Sequence, residues 1–255
     1  MSDEFTADQI TELRTIEKAR VRRGGSGLRS EVQELISRLK DGGVGPPDTA
    51  DPFLAQSKVL WDKGWGRELG FTKLDDYRKS LETEGIVVTP ERPIGIPDHL
   101  NRLVLWDARP LRNTEGTKQR LSLVKACTLL KVAFTGNDDT LVQHEATPEI
   151  TVLVRWVWCQ DGQRNRGKAP RDCRKDFTPP EVGLEAIGGL FIYAQDPTVI
   201  GGEGPDRHIM DLPGSVGRER RGRCACLGLW VAGPGLGWVW GGRANPSCVT
   251  ASRGE

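Results

Sequence analysis

The chain has 255 residues, 37% of them hydrophobic and 28% charged, with a formal net charge of +1. That length supports a substantial core in one or two domains, and the composition excludes wholesale disorder. A near-neutral balance excludes a global field steering the molecule to nucleic acid or membrane, so any anion binding must come from local clustering.

The opening "MSDEFTADQI" carries acids and no apolar core, so no secretory signal is expected. The longest apolar run, Leu227 to Trp240, is short for a bilayer-spanning helix and is broken by Gly-Pro-Gly. A cytoplasmic protein without membrane contact is expected. In that compartment Cys127, Cys159, Cys173, Cys224, Cys226 and Cys248 are thiols or metal ligands rather than disulfides.

The patterning predicts an α/β or α+β fold: an N-terminal helical region, then a mixed sheet with flanking helices and a C-terminal β-hairpin. Residues 1–42 read as a helical hairpin. Thr6 and Gln9 form a capping box before Ile10, Leu13 and Ile16, and a second stripe runs through Leu28, Val32, Leu35, Ile36 and Leu39. Packing or self-association is the expected use of these helices. Residues 43–98 read as Pro/Gly-rich linkers with short helices, one over Phe53 to Trp61. Another is opened by Thr72 and Asp75, with Leu74, Tyr77 and Leu81 inward. Its "KLDDYRKSL" mixes acids with bases, a poor surface to lay against DNA phosphates.

Residues 99–255 read as the α/β domain. "RLVLWD" (102–107) suits a buried strand, Lys118 to Leu130 a helix, and "LKVAF" (130–134) a second strand. That order predicts a right-handed parallel crossover. "EITVLVRWVWCQ" (149–160) is the strongest strand, with Val152, Val154, Trp156 and Trp158 on one face. Thr178, Pro179 and Glu181 predict a helix start, and the helix runs to Asp196-Pro197. Its Gly183, Gly188 and Gly189 each sacrifice about 1 kcal/mol of propensity against Ala, which points to close approach of another element.

The hairpin is expected to turn at Ala232 to Gly235, with Val231, Leu229 and Leu227 opposite Leu236, Trp238 and Trp240 on a core face. The other face then carries Cys224, Cys226, Gly228, Trp230, Gly237, Val239, Gly241 and Arg243. Trp230 either covers the bare glycines or leaves them open to a ligand.

Three constellations bear chemistry. Cys224 and Cys226 share one strand face at about 6.6 Å between Cα atoms, near the upper limit for a disulfide. Buried small apolar residues are the first account of them. A zinc site is the second, completed by Cys248 and His208, with Cys159 and Cys173 also available. A reactive thiol is the third.

Two basic runs, Arg164, Arg166, Lys168, Arg171, Arg174 and Lys175, then Arg218, Arg220, Arg221 and Arg223, come next. If the long strand and the hairpin are neighbours, the runs form one rim flanked by Trp156, Trp158 and Trp230, suited to phosphate contact and base stacking. Two solvated loops are the competing account. Last, Asp107 and Asp138-Asp139 end two predicted strands, where they could hold Mg²⁺, although Gly-Asn-Asp-Asp is also a good turn. Between the basic runs, His208, Asp211 and Ser215 lack a nucleophile elbow and predict a hydrogen-bonded turn at Pro213-Gly214.

The favoured function is a phosphate-ligand or nucleic-acid-binding module. The alternatives are a Mg²⁺-dependent phosphohydrolase or nuclease on Asp107, Asp138 and Asp139, and a structural zinc module around Cys224 and Cys226.

Overall fold

The computed structural model describes residues 51–84, 90–111, 121–149, 151–201, 208–220 and 222–254. The helical hairpin expected over 1–42 lies outside them, as do its self-association and Arg221. Asp51–Glu255 forms one compact unit, so the short helices of 52–83 share a unit with the strands that follow.

In chain order the elements are α1 (Pro52–Asp62), α2 (Trp65–Glu68), α3 (Leu74–Thr83), β1 (Arg102–Asp107), α4 (Leu123–Leu129), β2 (Ala133–Phe134), β3 (Leu141–Gln143) and β4 (Val154–Gln160). Then come α5 (Pro170–Asp176), β5 (Glu181–Gly183), α6 (Ala186–Gln195), β6 (Ile209–Gly217), β7 (Arg223–Trp230), β8 (Gly233–Trp240), β9 (Cys248–Thr250) and β10 (Ser252–Gly254). The fold is α+β. One sheet has the order β1-β4-β10-β5, antiparallel throughout. The other is mixed, in the order β2-β8-β7-β6-β3, with β2 parallel to β8 and β9 parallel to β6. The chain changes sheets at Ala251, between β9 and β10.

Asp51 caps α1 by accepting from the Phe53 N–H at 2.9 Å, with Pro52 in the first turn. From α1, the Gln56 side chain donates to Leu103 O at 2.8 Å and accepts from Leu105 N at 2.7 Å. A side-chain amide thus satisfies the outer edge of β1, where no strand pairs. Tyr77 and Leu81 of α3 are buried as their spacing predicts.

The core is organised around α6, which packs on α1, α4, β1, β6 and β7. It is apolar all round, as a helix enclosed by other elements must be. Close approach explains its glycines. A Cβ at Gly188 would stand 2.5 Å from the Trp106 ring, and one at Gly189 would stand 2.6 Å from Leu212.

Four local expectations are corrected. β1 and β2 lie in different sheets, so no parallel crossover joins them. Thr178 and Glu181 do not start the helix: Glu181–Gly183 pairs with β10, and the helix begins at Ala186. The segment at Pro213-Gly214 is a bulge within β6 rather than a turn; the pairing of β6 with β7 shifts register between Leu212 and Val216. The hairpin turns at Val231-Ala232, so Leu229 faces Pro234 and Leu227 faces Leu236. The faces are kept, because the pairing slips by an even number of residues. Trp230 covers glycine as expected, with its indole packed where a Gly235 Cβ would stand. Among the described residues, no helix is long and apolar enough to cross a membrane.

Candidate functional site

The open end of the β7–β8 hairpin gathers parts of both basic runs. Arg223 and Trp240 are partners in the strand register, and the guanidinium lies 4.4 Å from the indole centroid. The Arg223 Nε is buried without a hydrogen-bond partner. Just beyond this pair, Gly241 N donates to Gly222 O at 2.8 Å. The first run enters from α5. Arg171 N donates to Gly241 O at 2.7 Å, and its guanidinium packs on the bare backbone of Gly242, 3.4 Å from where a Cβ would stand. Arg174 donates to Pro213 O at 3.2 Å, with its other terminal nitrogen close to Gly241. Two guanidinium groups thus lie against the hairpin end.

Beside Arg223 a cleft of about 410 Å³ opens between the β2–β3 turn and the β6–β7 connection. Arg218, Arg220, Arg223 and Trp238 line it, together with Asn137, Asp139, Thr140, Gly217 and Glu219. Arg218 is anchored there, with Nε donating to Asp139 O at 2.8 Å and a terminal nitrogen 3.3 Å from Asp139 Oδ1. Trp238 is 38% exposed and Trp240 56%, on the same face of β8.

The remaining bases of the first run point elsewhere. Arg164 contacts His99 and lies 3.7 Å from Glu181, Lys168 pairs with Asp176, and Lys175 pairs with Asp172. Arg166 bonds Gln163. Trp156 and Trp158 stand in β4 of the other sheet, where Arg92 lies over the Trp158 ring at 4.7 Å. Trp230 is at the far tip of the hairpin. The indoles next to the arginines are therefore Trp238 and Trp240, which sequence reasoning assigned to the core. The missed signal is positional: β2 pairs with β8 only at Gly235 and Leu236.

The opposite face of the hairpin holds the thiols. Asp211 faces Cys226 across β6–β7 and Thr250 across β6–β9, while Ile209 faces Cys248. Cys226 packs with Ile209, Cys248 and Val239. α5 closes this face and adds Cys173. Burial pushes the Cys226 thiol up to about 12, with the Asp211 carboxyl and Cys248 adding to the shift. It raises Cys224 well above its ordinary value for the same first reason. Burial also raises the Asp211 carboxyl to about 7, against a lowering hydrogen bond with Cys248. His208 is not in this group; its backbone bridges to Gly201 and its ring lies 3.3 Å from Thr198 O. Among the described residues, no three His, Cys, Asp or Glu side chains gather so as to hold a metal ion.

The three aspartates are each engaged. Asp107 is buried, accepts from Arg109 Nε and one terminal nitrogen at 2.7 Å each, and accepts from Tyr77 Oη at 3.0 Å. Asp138 accepts from Ser122 Oγ and Val124 N, at the start of α4. Asp139 holds Arg218, as above. Ser215 accepts from Ala186 N at 2.9 Å, so its hydroxyl serves the start of α6.

Compared with family models, curated proteins and solved structures, the chain matches none. Its site is therefore read from its own geometry, as an arginine–tryptophan surface at the open end of a β-hairpin.

Proposed function

We propose that this protein binds a phosphate-bearing ligand, nucleic acid foremost, where Arg218, Arg220 and Arg223 border Trp238 and Trp240. The observation that carries the reading is Arg223, laid on an indole with its Nε lacking a hydrogen-bond partner. A guanidinium held flat by an aromatic ring keeps its planar fork of donors pre-organised, and that fork matches phosphate oxygens. The packing of Arg171 and Arg174 at Gly241 and Gly242 extends the same edge. The Mg²⁺ reading would have to draw Asp107 away from Arg109 and Tyr77, which is why phosphate binding through arginine is preferred.

A salt titration of binding to a labelled oligonucleotide tests this. Three arginine–phosphate contacts give a slope of log K on log salt of about −2 to −3. Arg220→Ala and Arg223→Ala should each lower the slope by about 1. Affinity indifferent to salt would remove the proposal.

A further inference from the structure

We infer that the ligand of this surface is a single strand of nucleic acid, its bases laid on Trp238 and Trp240 and its phosphates on Arg218, Arg220 and Arg223. The inference rests on the phosphate-binding reading above and adds to it the form of the nucleic acid.

Three observations point the same way. The two indoles lie two residues apart on one strand face, about 6.6 Å along β8. That is twice the ~3.4 Å rise per nucleotide of one duplex strand, so successive bases can reach successive indoles only when the strand is drawn out. Both indoles also reach solvent, Trp238 at 38% exposure and Trp240 at 56%. Ala225 is the partner of Trp238, so β7 puts no bulk over that ring. A helix or a projecting ribbon would be needed to enter a major groove, whereas exposed aromatic rings at the end of a hairpin receive splayed bases.

Charge decides the balance. Among the described residues that line the cleft, Arg218, Arg220 and Arg223 stand beside Asp139 and Glu219, so carboxylates are interleaved with the arginines. Those carboxylates repel a phosphate backbone laid along the cleft and offset part of what the arginines contribute. Base stacking must supply much of the affinity, and only unpaired bases offer their faces to an indole. On Trp240 the stack is already begun, since the Arg223 guanidinium occupies one side of it.

The test uses the full chain in fluorescence titrations at low salt, with a twelve-nucleotide thymidine strand, a duplex of the same length, and heparin as a polyanion without bases. The single strand should bind at least tenfold tighter than the duplex. Trp238→Ala should lower single-strand affinity about tenfold, leave heparin binding unchanged, and be largely rescued by Trp238→Phe. A circular-dichroism spectrum and urea midpoint like those of the wild type show that the variant is folded. Equal affinity for single strand and duplex, or a Trp238→Ala variant with full single-strand affinity, would overturn the single-strand assignment and leave phosphate binding standing. Failure of all three probes to bind would overturn both.

Discussion

Asp211 on β6 stands opposite Cys226 on β7, with its carboxyl 1% exposed and one oxygen without a hydrogen-bond partner. A carboxyl so placed keeps its proton in the folded protein up to about pH 7, because burial penalises the anion. Unfolded, it titrates near the ordinary carboxylate value of about 3.9. Between those values the folded state binds the extra proton, so stability falls as pH rises from about 4 to about 7. Above pH 7 the full penalty applies, on the order of 4 kcal/mol. Asp211→Asn should remove this component. Measured by Tm against pH, the variant gains on the wild type between pH 5 and pH 8, and parallel curves would exclude the buried acid.

All six cysteines are buried, and burial pushes Cys127, Cys159 and Cys226 up to about 12. The nucleophile is the thiolate, so native protein at pH 8 should react very slowly with a maleimide. Mass spectrometry should find few labels on the folded chain and six after urea. Rapid native labelling at Cys224 or Cys226 would instead identify a reactive thiol.

Gly188→Ala sets two effects against each other. Alanine improves helix propensity by about 1 kcal/mol. The new methyl, however, would stand 2.5 Å from the fully buried Trp106 ring and 2.7 Å from Leu184. Overpacking of this kind costs about 1–3 kcal/mol, so a net loss is expected in urea unfolding. A gain in stability would show that the ring moves aside freely.

Arg253 is fully buried and is held by Glu185, with its Nε 2.8 Å and a terminal nitrogen 2.6 Å from carboxylate oxygens. Glu185→Gln removes the carboxylate that holds the guanidinium and should cost about 3–5 kcal/mol. Glu185→Leu combined with Arg253→Met should recover a large part of that loss. Equal losses in the single and double variants would show that the pair is not the cause.

Segments whose burial is set locally were legible in the sequence. "RLVLWD" forms a strand over its predicted residues, and the Tyr77–Leu81 face lies inward. The alternation of the hairpin gave its faces, yet its register was four residues out. "AGPG" resembles a turn, while the actual turn uses Val231-Ala232 and a positive φ at Gly233. Glu181 reads locally as a capping-box residue, but Ser252 donates to its carboxylate at 2.5 Å from 71 residues away. No local pattern contains that partner. The same holds for the indoles: Trp156 and Trp238 look alike in sequence, and only sheet order makes one a central-strand residue and the other accessible.

The change of sheet at Ala251 sets the tempo of folding. β5 joins β4 only through β10, and Ser252 reaches back 92 residues to Gln160 and 71 to Glu181. Those contacts close large loops before any local reward arrives, so the antiparallel sheet completes late, on the slow side of the millisecond-to-second range of strand-rich topologies. The β7–β8 hairpin has no such wait. Its strands are neighbours in sequence, and a hairpin forms in about 1–10 μs. Arg223, Trp238 and Trp240 of the proposed site sit on the element that kinetics favours first.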